Sequence, residues 1–387
     1  MFLYSKITRR FSSKIATTLA TAGKLGKATN IVEQPHDLLG KDTVELLMSQ
    51  YAFAVRDSLP RTDPELYNAI KRFDDMCYHT GPERELVTNT ILLNAYKGFE
   101  LPENLTPANL KMAAMLGWAF ENLVVVTFLS DDIIDNSSVR WKKPSWYTLP
   151  NIGLTTLLDM RQVTMGAFAL LRKYLKDHPS YKHLHGILSD FQYLMYIGQS
   201  LDFIGSSLFK RTRDAHFLSM QRILATTYHK TTATLYLLPI LAAAYLAKLD
   251  PQIVFKSRSI IKSLGVHRQA QNDMRDLCGD FNNIGKTTGT DIAGGVCTWI
   301  TGTLFQFGSE EQKNVLLHNY GRPERECQEE VYRVLKEFGI VERYRNYTKE
   351  VVAECNEHTS TVAHPGTAKI LNLLLEQHVN IDENFYL

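Results

Sequence analysis

The chain has 387 residues, 44% of them hydrophobic, enough for a large core in one big domain or two ordinary ones. A formal net charge of +2 leaves nothing to hold nucleic acid by bulk electrostatics. The five cysteines, Cys77, Cys278, Cys297, Cys327 and Cys355, show neither zinc spacing nor a disulfide framework, as expected in a reducing compartment.

Residues 1–30 carry Lys6, Arg9, Arg10, Lys14, Lys24 and Lys27 and no acid. That composition is shared by mitochondrial transit peptides and disordered basic tails, so a mitochondrial or a cytoplasmic location is expected. The segment is set outside the fold, and residues 31–387 are expected to form a single domain. Helical periodicity starts near residue 40, where Leu47, Tyr51, Ala54 and Val55 share a face that Pro60 closes. Segments 61–78 and 86–98 follow, and Pro107 sits near the start of a helix running through Met112, Leu116 and Ala119. Longer periodic segments cover 155–176, 181–206, 214–247, 251–280, 290–304 and 325–358. Glycines and prolines place loops at 149–153, 178–180, 205–209, 281–289 and 321–323. There is no βαβ alternation, hairpin signal or repeat, so the class is all-α, a bundle with its site in the core. No stretch reaches the roughly 18 uncharged apolar residues of a membrane span. The best candidate, Thr231–Leu249, is interrupted by Pro239 and reads as buried helix.

Two acidic clusters carry the chemistry. Asp131, Asp132 and Asp135 follow the apolar run Leu123–Leu129, and Asp131 and Asp135 lie one helical turn apart. Bare carboxylates about 5–6 Å apart repel, so the pair is comfortable with a divalent ion. Oxygen ligands without His or Cys suit Mg²⁺, and Arg140, Lys142 and Lys143 nearby suit phosphate. The second cluster, Gln271 to Asp280, repeats acid or amide at Asn272, Asp276 and Asp280, again one face. Each cluster alone also fits a solvated helix end; together they predict a site for Mg²⁺ and a diphosphate. Gln199 and Asp202 lie inside an apolar helix, Lys230 and Thr231 open another, and Lys286 sits in a hydroxyl-rich loop without Walker spacing.

These residues resemble the trans-isoprenyl diphosphate synthase family, closest to farnesyl diphosphate synthases. The likeness rests on Asp131-Asp132-Ile133-Ile134-Asp135, Ser145-Trp146-Tyr147, Gly198-Gln199-Ser200-Leu201-Asp202, Lys230-Thr231, the 271–280 cluster and Gly289-Thr290-Asp291-Ile292. It implies the isoprenoid synthase fold, a homodimer, and three Mg²⁺ ions held by Asp131, Asp132, Asp135, Asn272, Asp276 and Asp280. It also implies that Arg140, Lys230 and Lys286 grip an allylic diphosphate, with Gln199, Thr231 and Gln271 as further substrate contacts.

The departures from the family pattern suggest a change of reaction. The family's second-substrate lysine is absent from the loop His79–Glu85, its glutamine is Val124 and its second arginine is Trp141. The C-terminus is acidic where the family's is basic, and Asn272 replaces an aspartate. Val126 and Thr127, where the family has bulky aromatics, would lengthen the cavity. The expectation is a class I terpene synthase that ionises (2E,6E)-farnesyl diphosphate to a sesquiterpene hydrocarbon or alcohol, a lyase. The alternatives are a short-chain prenyltransferase, making farnesyl or geranyl diphosphate from an allylic diphosphate and isopentenyl diphosphate, and a non-catalytic partner subunit.

Overall fold

The computed structural model describes residues 41–81, 86–278, 289–379 and 385, so the basic segment 1–30 lies outside the described residues. The helices are α1 (Lys41–Ser58), α2 (Tyr67–His79), α3 (Val87–Phe99), α4 (Pro107–Ile134), α5 (Thr156–Leu175), α6 (Tyr181–Thr212), α7 (Met220–Thr227), α8 (Leu238–Leu246), α9 (Gln252–Phe255), α10 (Arg258–Cys278), α11 (Thr290–Gly294), α12 (Trp299–Phe307), α13 (Glu310–Asn319), α14 (Arg325–Glu337), α15 (Ile340–Thr361) and α16 (Pro365–Val379). Between α7 and α8 the chain widens into a π-helical segment, Tyr228–Leu237. Between α4 and α5 it forms a hairpin of β1 (Val139–Arg140) and β2 (Lys143–Pro144). The all-α expectation holds.

Several boundaries differ from those expected, each for a local reason. Residues 205–209 are helical, because buried Phe209 anchors the last turns of α6. Segment 290–304 breaks at Gly295, whose φ of +67° is left-handed, and α12 restarts with a capping box between Thr298 and Thr301. Segment 325–358 breaks at Gly339, φ +70°. Helices α13 and α16 fall outside the expected segments. The hairpin has no turn signature: its two loop residues, Trp141 and Lys142, are left-handed at φ +49° and +61°, conformations that usually take Asn or Gly.

The described residues group into two compact units. One takes in the described parts of Met1–Tyr193, Leu235–Arg258 and Thr359–Leu373. Its centre is α4, packed against α1, α3 and α5. Pro107 opens this helix in the first turn, where its missing N–H costs nothing, and the Thr106 hydroxyl accepts from Asn109 N at 3.3 Å. Trp118 is fully buried and donates through Nε1 to Leu47 O at 3.0 Å, and Phe120 meets Phe191 edge-on at 5.0 Å. Among the described residues α4, rather than Thr231–Leu249, is the helix that by length and composition is apolar enough to cross a membrane. However, 83% of its most apolar stretch is buried inside the protein, which marks it as a core helix.

The second unit takes in Leu194–Thr234, Ser259–His358 and the described residues after Leu374. Its core includes Met274, Trp299, Leu304, Val331, Phe338 and Tyr344. Within it the buried ring of His267 stacks on Tyr344 at 5.5 Å, and its Nε2 lies 2.8 Å from Thr348 Oγ1.

Candidate active site

In the first unit the acidic cluster forms the C-terminus of α4. The last turn stays closed, with Asp135 N donating to Asp131 O at 2.8 Å, so the two carboxylate residues do stand one turn apart. Asn136 then turns left-handed at φ +52°, and Ser137 N reaches back to Asp132 O at 2.9 Å, a Schellman closure with Asn in the left-handed place. Asp131 is half-buried and Asp135 exposed.

Asp132 turns inward and is buried, and its Oδ1 accepts from Arg140 Nε at 2.9 Å and from a terminal Arg140 nitrogen at 2.6 Å. Burial pushes the Asp132 carboxyl up, and the Arg140 guanidinium pulls against that shift. The same guanidinium lies over the Phe128 ring, 5.3 Å from its centroid, and Trp141 meets the edge of that ring at 5.2 Å. These groups line a small recess, together with His79, Val125 and Trp146. Trp146 is fixed in turn: its Nε1 donates to buried Asp159 at 2.8 Å, and Arg72 closes on the same carboxylate at 2.7 Å. Val126 and Thr127, expected to leave a cavity open, are both buried, and the Thr127 hydroxyl donates to Leu123 O at 3.3 Å.

In the second unit Lys230 and Thr231 stand on the π-helical segment rather than at the opening of an ordinary helix. Lys230 Nζ donates to Asp202 Oδ2 at 2.6 Å. Thr231 Oγ1 donates to Gln269 Oε1 at 2.7 Å, and Gln269 Nε2 to Asp273 Oδ1 at 2.8 Å. The other Asp273 oxygen accepts from Trp299 N at 2.7 Å, tying α10 to the start of α12. Gln199 and Gln271 are buried, and Arg268 donates to Gln271 Oε1 at 2.6 Å.

Of the second acidic cluster, Asn272 is exposed while Asp276 is buried. Asp276 accepts from Thr290 Oγ1 at 3.0 Å and Asp291 N at 2.9 Å, so it anchors the chain where it re-enters at α11. Asp280 and Lys286 lie outside the described residues, as does the Arg84 loop. Sequence reasoning missed Gln269, Asp273 and His79. Gln269 and Asp273 stand one turn apart on α10, a spacing that could have marked them as a pair.

Among the described residues no group of three or more His, Cys, Asp and Glu side chains converges on one point. The donor chemistry of the α4 terminus nonetheless fits Mg²⁺. Its last turn holds no basic residue, the helix carbonyls put roughly half a negative charge there, and Asp131 and Asp135 add oxygen donors.

A family profile described as polyprenyl synthetase matches residues 86–338. The geranyl diphosphate synthase of Ips pini is 29% identical over 301 residues, 74% of this chain and 70% of the relative. The farnesyl pyrophosphate synthase of Murgantia histrionica is 29% identical over 328 residues, 84% of this chain and 79% of the relative. That of Schizosaccharomyces pombe is 31% identical over 243 residues, 62% of this chain and 69% of the relative. Among solved structures, a T. brucei farnesyl diphosphate synthase complexed with a bisphosphonate superposes with a TM-score of 0.76 at 20% identity, covering 90% of this chain and 99% of that one. That likeness bears out the isoprenoid synthase fold.

The relatives overturn the expectation of a sesquiterpene synthase, and with it the lyase class: they are synthases of prenyl diphosphates, the stated alternative. The departures at Val124, Trp141 and the loop His79–Glu85 therefore do not mark a change of reaction.

Proposed function

This chain belongs to the polyprenyl synthetase family, and we propose that it is a short-chain prenyltransferase joining an allylic diphosphate to isopentenyl diphosphate. What carries the reading is the set of geranyl and farnesyl diphosphate synthases matched across more than two thirds of their own lengths. The acidic terminus of α4 and the lysine held on the π-helical segment support it.

In this reading Asp131 and Asp135 of the first unit would hold Mg²⁺, as would Asn272 of the second; three ions in all are part of the proposal. Bound Mg²⁺ would neutralise charge on the diphosphate leaving group as the allylic carbon–oxygen bond breaks. The proposal assigns Arg140 of the first unit and Lys230 of the second to the charge of the leaving diphosphate, as the family resemblance implies. Asp132 and Asp202 keep those two cations aimed while no substrate is present, which lowers the cost of ordering them on binding. The aromatic wall of Phe128, Trp141 and Trp146 would shield the cation from water while the new carbon–carbon bond forms to the alkene of isopentenyl diphosphate and the proton lost passes to the released diphosphate.

The chain is proposed to act as a homodimer. A stripe on and just before α5, Leu154, Leu157, Leu158 and Met165, is 69%, 53%, 66% and 62% exposed and lies at helical spacing, a surface suited to a second copy. Sedimentation of the purified protein tests this.

The test of the activity is incubation with Mg²⁺, dimethylallyl diphosphate and isopentenyl diphosphate. Geranyl or farnesyl diphosphate is expected. Absence of any longer diphosphate, from protein shown to be folded, overturns the reading.

A further inference from the structure

Two glycines, 67 residues apart in sequence, press on the same short stretch of backbone. A methyl group on Gly198 of α6 would lie 2.4 Å from Lys230 N and 2.5 Å from its Cα. A methyl group on Gly265 of α10 would lie 2.4 Å from Thr232 Oγ1 and 2.8 Å from its Cα. Real side chains do not approach backbone so closely, so the π-helical segment sits in two slots that only glycine leaves open.

Each slot is followed, one helical turn on, by a polar partner for the same segment. Four residues after Gly198 comes Asp202, which receives Lys230 Nζ at 2.6 Å. Four residues after Gly265 comes Gln269, which receives Thr231 Oγ1 at 2.7 Å. The segment itself is widened, and the Lys230 carbonyl is taken up by the Thr234 hydroxyl at 2.6 Å. Widened turns of this kind recur at functional sites because they re-aim side chains.

We propose that Gly198 with Asp202 and Gly265 with Gln269 form a two-sided clamp whose task is to position Lys230. All four are positioning residues: the two glycines act on the backbone of the π-helical segment, Gln269 on the Thr231 hydroxyl and Asp202 on the Lys230 ammonium itself. The inference deepens the proposed prenyl transfer by naming what sets its cation, and it is tested without relying on that activity.

The probe is acetylation of Lys230, followed by mass spectrometry of the full chain. An ammonium held 2.6 Å from a carboxylate is a poor nucleophile, so Lys230 reacts slowly in the native protein. In Gly198→Ala and Gly265→Ala the slot closes, the segment shifts and labelling of Lys230 rises severalfold. Lys173 and Lys336, which lie elsewhere, keep their rates. Gly186→Ala is the control, since nothing lies within 4 Å of the added methyl there. If the slot variants do not fold, Gln269→Ala decides the matter, because it leaves both slots intact and removes the Thr231 partner, together with the bond Gln269 makes to Asp273. Unchanged Lys230 labelling in every folded variant overturns the clamp. Where the wild-type chain is active, the slot variants raise KM for the allylic diphosphate more than they lower kcat. An inactive wild type with altered labelling would sink the activity and leave the clamp standing.

Discussion

Arg140 and Asp132 form a pair whose two members come from different elements, the hairpin strand β1 and the last turn of α4, and their closest approach is 2.6 Å. The pair divides the acidic cluster: Asp132 holds a cation of the protein, while Asp131 and Asp135 stand at the negative end of the helix. The two kinds of carboxylate should therefore fail differently. Asp131→Asn and Asp135→Asn should each lower activity by about 10²-fold or more, with the loss reduced at high Mg²⁺. Asp132→Asn should raise KM for the allylic diphosphate about tenfold, roughly 1.4 kcal/mol, with no rescue by Mg²⁺. Steady-state kinetics over a range of Mg²⁺ concentrations checks both.

The hairpin loop predicts a stabilising substitution. Lys142 is exposed and left-handed at φ +61°, a conformation costing a side-chain-bearing residue about 1–2 kcal/mol. Lys142→Gly should raise stability by about 1 kcal/mol after the added unfolded-state entropy is counted. A higher denaturation midpoint would show it. Trp141 is equally left-handed, but its ring is packed on Phe128, so Trp141→Gly should give no such gain.

Asp159 predicts a large loss. Its buried carboxylate has two partners, Arg72 and the Trp146 indole. Arg72→Met would leave the charge buried without its cation, at a cost of about 3 kcal/mol. Adding Asp159→Asn removes the charge while keeping an acceptor for Trp146, and should restore most of the loss. Urea unfolding of the single and double variants completes the cycle.

His267 makes stability depend on pH. Burial, and then the nearby charge of Arg268, hold its imidazole down at about 4, against an ordinary 6.5. In that window the unfolded chain binds a proton that the folded chain refuses, so the contribution is complete above 6.5 and is lost as pH falls towards 4. The loss amounts to about 3 kcal/mol. His267→Phe should flatten this part of the profile; comparing urea midpoints near neutral pH and near about pH 4.5 isolates it.

What the sequence could show was whatever repeats at the period of a helix. The turn spacing of Asp131 and Asp135 is of that kind, and so is the apolar run of α4. The Asp132–Arg140 pair was not legible, because it needs a hairpin whose loop residues, Trp and Lys, are poor turn formers. The neighbours of Lys230 were not legible either. Gly198 and Gly265 act on it from 32 and 35 residues away, and the segment they hold departs from the 3.6-residue period on which the reading rested. Asp276 follows the expected spacing, yet the return of the chain at Thr290 covers it.

The widened stretch Tyr228–Leu237 also makes this part of the chain sensitive to length rather than to composition. Excising a single residue there, with the winding of the rest held by the two glycine slots, would turn everything after it by roughly 100° about the axis. The apolar side chains of α8 would then present the wrong side to α3. A one-codon deletion in this stretch should therefore be far more damaging than most point changes, whereas a deletion in the exposed turn at Asp177 should pass almost unnoticed.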